Sequence, residues 1–216
     1  MTVSNSPSLA EKVLGSRKIP KSGPSWPIAT TSPSTYKFNL TSAEYVPVAL
    51  AIMASPENDG RIEQYQIATS STVESCLGAG TQGNVYVFRN LSQSTRFAVK
   101  FHEKERAYYR EVAVYLRLRD LKIDTVCDHM IPQLIGYDDD LLTIEMTIVS
   151  PPFCLDFGGA YLDRPPDYTP EVWRDWKEMK AAAFEENWPA VELILAVFRS
   201  YGIYIADVNP GNIRFD

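Results

Sequence analysis

The sequence predicts an α+β protein: a five-stranded antiparallel meander with one helix inserted after its third strand, then a short, mainly helical segment. Three observations lead there. Short apolar runs of period two are separated by turn residues, one segment of helical period interrupts them, and two further helical segments follow a Pro/Gly-rich break.

Val73–Leu77, Asn84–Phe88 and Arg96–Phe101 read as consecutive strands, the first two joined by a glycine-rich turn. Glu103–Asp120 reads as a helix, with Arg106, Arg110 and Arg117 on one face and Ala107, Val114 and Leu118 on another. Gln133–Tyr137 and Leu141–Val149 supply two more strands, split by Asp138-Asp139-Asp140. Residues 150–168 have the composition of a linker between lobes. Thr169 then caps a helix with Pro170 in its first turn and an apolar stripe of Val172, Trp176, Met179 and Ala183. A second helix, Pro189–Tyr201, is apolar on most faces, hence buried, and is stopped by Gly202.

At the other end, residues 1–37 are rich in Ser, Thr and Pro with little apolar periodicity, which predicts a flexible tail. The folded part is expected to begin near Phe38, with Asn58-Asp59-Gly60 as a turn, so the organisation reads 1–37 tail, 38–149 first lobe, 150–168 linker and 169–216 second lobe. Val46–Ala54 is too short to span a bilayer and reads as a buried local segment.

Composition narrows the function classes. With 45% hydrophobic residues among 216 the chain can bury a real core, and a net charge of -6 offers no global basic field for nucleic acid or an anionic membrane. Cys76, Cys127 and Cys154 lack paired spacing, so neither a disulfide framework nor a zinc site is suggested, and a reducing cytoplasm is the expected compartment.

Four segments carry chemistry. Leu77-Gly78-Ala79-Gly80-Thr81-Gln82-Gly83-Asn84-Val85 has the spacing G-x-G-x-x-G-x-V between two strand-like runs, where glycine lets backbone amides approach phosphate oxygens. In Phe97-Ala98-Val99-Lys100, alternation places Ala98 and Lys100 on one strand face, opposite Phe97, Val99 and Phe101. Glu111 lies on the apolar stripe of the following helix between Ala107 and Val114, where a carboxylate needs a cation, and Lys100 is the natural one. Glu105 is the weaker candidate, and a partly exposed Glu111 neutralised by Arg110 is the bland alternative. Finally, Tyr204-Ile205-Ala206-Asp207-Val208-Asn209-Pro210-Gly211-Asn212 sets an aspartate five positions before an asparagine in a loop stiffened by Pro210.

In this order the segments resemble the protein-kinase-like superfamily, including its atypical and aminoglycoside-phosphotransferase-like branches. The resemblance spans roughly Val73 to Asp216. It implies a kinase-like fold with a truncated helical lobe, ATP and magnesium as cofactors, and transfer of phosphate to a hydroxyl, most naturally on a protein. It also implies roles: Gly78, Gly80, Gly83, Val85 and Ala98 around the nucleotide, Lys100 on its phosphates, Glu111 positioning Lys100, Asp207 as base, and Asn212 on the metal.

Ile205 and Ala206 stand where protein kinases carry His and Arg, and no Asp-Phe-Gly follows Asn212 before Asp216. That gap leaves a pseudokinase that binds nucleotide or scaffolds partners, and a small-molecule kinase, as alternatives. Asp156-Phe157-Gly158 spells the tripeptide but precedes the loop, so it is expected to be linker far from the phosphates, and Asp216 to be a turn residue.

Overall fold

A computed structural model of the chain describes residues 17–18 and 56–215. The expected tail, apart from two residues, and the segment Val46–Ala54 lie outside these residues, as does Asp216.

The fold is α+β, and its main sheet is antiparallel throughout. Strands β1 (Arg17–Lys18), β2 (Ser71–Gly80), β3 (Gly83–Asn90), β4 (Arg96–His102), β7 (Leu134–Asp138) and β8 (Thr143–Met146) are ordered β1-β7-β8-β4-β3-β2. The five long members are the predicted ones. β1 was not foreseen: Arg17 pairs with Asp138 and Lys18 with Tyr137, so this part of the supposed tail adds to the sheet. An edge strand offers a row of unpaired backbone groups, and two extended residues are enough to use some of them.

Alternation along β4 divides the core. Phe97, Val99 and Phe101 face Tyr86, Phe88 and Leu141, and are covered by Ile62 and Tyr65 of helix α1 (Pro56–Thr69). Asn58-Asp59-Gly60 therefore belongs to a helix and is not a turn. Pro, Glu and Asp are residue types favoured in a first helical turn, which reconciles the composition with the conformation.

On the opposite face, Ala98, Ile144 and Met146 pack against Tyr108, Val112, Tyr115 and Leu118 of helix α2 (Glu105–Leu121). That cluster continues without a break into Val191, Ile194, Leu195 and Phe198 of helix α4 (Trp188–Ser200). Helix α3 (Pro170–Phe184) starts as predicted, with Thr169 accepting a hydrogen bond from the Val172 N–H. Its expected stripe is not buried. Val172 and Met179 are exposed, Met179 by 62%, and Trp176 is only partly covered.

Short strands complete the second part. β5 (Thr125–Val126), β6 (His129–Met130), β9 (Phe153–Cys154) and β12 (Ile213–Arg214) form one small sheet, and β10 (Ala160–Leu162) pairs with β11 (Ile203–Ile205). The predicted linker thus contains two strands. Among the described residues no helix is long and apolar enough to cross a membrane.

Gly83 is the residue on which the β2–β3 turn depends. Its φ of +143° lies where side chains are rare, and a Cβ there would stand 2.0 Å from the Phe101 carbonyl oxygen across the sheet. Gly80 meets nothing within 4 Å. Gly83→Ala should therefore cost about 2 kcal/mol or more and lower the melting temperature by at least about 4 °C, while Gly80→Ala stays within about 2 °C. Calorimetric melts of both variants check this, and equal shifts would contradict it.

Candidate functional site

Lys100 sits on the α2-facing side of β4 with its side chain 5% exposed. Its ammonium Nζ donates to Glu111 Oε2 at 2.7 Å and to Asp156 Oδ1 at 2.7 Å. Glu111, 1% exposed, also takes a hydrogen bond of 2.7 Å from His102 Nε2 and one of 3.3 Å from the Phe157 N–H to Oε1. The pairing of Lys100 with Glu111 expected from the helical stripe is present. Arg110, the alternative partner, instead lies over the Tyr161 ring, and Glu105 is exposed at the helix start.

A carboxylate so deeply buried would ordinarily take up a proton, because burial penalises its charged form. Burial does push Glu111 upward, but the charge of Lys100 and the hydrogen bonds from His102 and Lys100 outweigh it and hold the carboxyl down at about 2. Lys100 shows the mirror image. Burial acts against its charge, and Glu111 and Asp156 more than compensate, raising it above 10.5.

Asp156 does not lie far from Lys100 in a linker. It follows β9, whose residues Cys154 and Phe153 pair with Ile213 and Arg214 of β12, while the Leu155 N–H donates to the Asn212 carbonyl at 2.9 Å. This ladder sets Asp156 beside Asn212, with Asp156 Oδ2 3.4 Å from Asn212 Nδ2, although the two are 56 positions apart. Phe157 is fully buried against Tyr115 and Phe198 and anchors the turn. The backbone at Asp156 is left-handed, φ 66°, a conformation that aspartate tolerates better than most residues.

The Asp207–Asn212 loop is braced from several sides. Val208 is buried in the main core, Trp176 Nε1 donates to the Ala206 carbonyl at 2.9 Å, and the Asn212 and Ile213 N–H groups both donate to the Asn209 carbonyl. Gly159 makes room for Asp207: a Cβ on it would be 2.8 Å from Asp207 Cβ. Lys100 and Glu111 are therefore joined to Asn212 through Asp156, and Asp207 meets Asn212 through its backbone carbonyl, 3.5 Å from Asn212 Nδ2.

Of the glycine segment, Gly78 and Gly80 stand over open space and Gly83 serves the turn. Gly78 opposes Val85, and Val85 opposes Lys100, so the three form one row across β2, β3 and β4. Cross-strand partners share a face, which puts Gly78, Val85, Ala98 and Lys100 on the α2-facing side of the sheet. Among the described residues, no three His, Cys, Asp or Glu side chains gather to hold a metal by themselves.

Two site residues escaped the sequence reading. His102 is the next residue on the Lys100 face of β4, and alternation alone could have placed it there. Asp156 was dismissed because of its order in the chain, which the two-residue pairing of β9 with β12 overrides.

The depressed Glu111 carboxyl gives a pH signature. Its stabilisation is complete above 4.5 and is lost as pH falls from 4.5 toward about 2, where the folded form takes up the proton. Glu111→Gln should cost about 3–5 kcal/mol at neutral pH, as breaking a buried pair does, and flatten the acid limb of stability. Urea titrations at several pH values test both, and an unchanged acid limb would contradict the assignment. Compared with protein-family models, with curated proteins and with solved structures, the chain matches none.

Proposed function

We propose that the chain binds ATP with magnesium and transfers a phosphoryl group to a hydroxyl, on a protein-kinase-like fold in which the metal-binding Asp-Phe-Gly segment precedes the catalytic loop instead of following it. The observation that carries this reading is the placement of Asp156, bonded to Lys100 and adjacent to Asn212. An Asp-Phe-Gly carboxylate was the metal ligand that the segment order left missing.

The donor set suits the cofactor. Magnesium takes oxygen ligands and is commonly held by one or two carboxylates together with substrate phosphates and waters, so a protein cage of three carboxylates is not required. Asp156 would offer a carboxylate oxygen and Asn212, whose Nδ2 faces Asp156 Oδ2 at 3.4 Å, would offer its carboxamide oxygen once that amide is turned, both from one short ladder. The chemistry such an ion supplies is neutralisation of charge on the phosphate oxygens.

The other roles belong to the chain's own side chains. Lys100, kept charged by two carboxylates, donates to phosphate oxygens, and charge-assisted hydrogen bonds of this type are worth roughly 1.5–3 kcal/mol. Glu111 fixes its direction. Val85, only partly buried, offers an apolar surface for a base, whereas Ala98, expected beside it, is 3% exposed and belongs to the core under α2; Gly78 and Gly80 keep the space above the β2–β3 turn free of side chains. Asp207, held by the braced loop and only half-buried, takes the proton from the acceptor hydroxyl.

The alternative of a non-catalytic pseudokinase was favoured by a missing metal carboxylate, and the position of Asp156 beside Asn212 supports the catalytic reading over it. The same assay separates protein from small-molecule acceptors. Radiolabelled transfer from ATP, with magnesium or manganese, to protein and aminoglycoside acceptors should give turnover that Asp207→Asn lowers by about 10²–10⁴-fold, the usual share of a positioned base. Equally weak signals from the parent and from Asp207→Asn would overturn the proposal.

A further inference from the structure

Between helix α2 and strand β10 runs an open groove of about 420 Å³, whose lining includes Arg106, Tyr109, Arg110, Tyr161, Leu162 and Arg164. Three arginines line it and no carboxylate does. Among the described residues none of the three arginines has an ion-pair partner, and the acid next to Arg164, Asp163, is held by Arg117 through bonds of 2.9 and 3.0 Å. The Arg110 guanidinium carbon lies 4.4 Å from the centre of the Tyr161 ring, a cation–π contact that holds this side chain at the groove. In a chain of net charge -6, such a cluster is a local reversal of sign.

The groove adjoins the candidate base. Ala160 lines it, and the preceding Gly159 is the residue packed against Asp207. Arginine and tyrosine are the residues that dominate binding energy at protein interfaces, and Tyr109, 49% exposed, lies at this surface with its ring held against the buried Tyr108 ring at 5.1 Å. A small molecule would be enclosed by its site, whereas this surface is open along one side and suits an extended chain.

We propose that this groove docks an acidic peptide, with Asp or Glu side chains on the three arginines. Combined with phosphoryl transfer, on which this part of the inference rests, it would make the acceptor a hydroxyl flanked by acidic residues. The net negative charge of the whole chain disfavours acidic partners elsewhere, so the arginine cluster also sets where such a peptide can land.

The test is fluorescence anisotropy of the full chain with three labelled serine peptides of equal length, flanked by Glu, by Gln or by Lys. The Glu peptide should bind at least ten-fold tighter than the Gln peptide and weaken with salt. Arg106→Gln combined with Arg164→Gln, both exposed positions, should remove most of that preference while leaving ATP affinity unchanged. Equal binding of the Glu and Gln peptides, or a preference that survives the double substitution, would overturn the proposal. So would competition by inorganic phosphate or anionic vesicles without any peptide preference. Loss of ATP binding with the Glu preference intact would sink the phosphoryl-transfer reading alone and uphold the docking site.

Discussion

The buried carboxylate of Glu111 is the constraint on which the rest of the site depends. It joins three elements: β4 through Lys100 and His102, α2 through its own backbone, and the turn after β9 through the Phe157 N–H. An isolated carboxylate at this depth would be costly, so each donor is required to keep it charged, and each is thereby fixed in direction. The helix cannot shift relative to the strand, nor the turn relative to either, without leaving a charge uncompensated.

The second constraint is the ladder of β9 with β12. Four residues and one further N–H bond are enough to join the end of the Pro/Gly-rich stretch to the end of the braced loop. Because Phe157 is buried against Tyr115 and Phe198, the same turn is tied to both α2 and α4. The site thus stands at the junction of a core that runs continuously from the sheet to the last helix. Chain order and spatial order differ here, and chemistry follows spatial order.

Much of this was legible in the sequence where regular periods persist. The five long strands and helices α2, α3 and α4 follow from alternation and helical stripes, and Glu111 stood out as a charge on an apolar stripe. What escaped lacks such a signal. The two-residue strands have no period, α1 opens with residues equally common in turns, and β1 exists only because an edge was available. The stripe of α3 misled because apolar spacing predicts a face and says nothing about whether another element covers it; Met179 and Val172 remain exposed. Asp156 had the right neighbours in sequence and was set aside on order, which long-range pairing does not respect.

The most direct measurement is the magnesium dependence of ATP affinity, by calorimetric titration of the parent chain and of Asp156→Asn. If Asp156 supplies the metal carboxylate, magnesium tightens ATP binding to the parent about ten-fold or more, and the variant loses most of that gain while still binding metal-free ATP through Lys100. An Asp156→Asn protein with the full magnesium effect, or a parent that binds no ATP with or without the ion, would contradict the account.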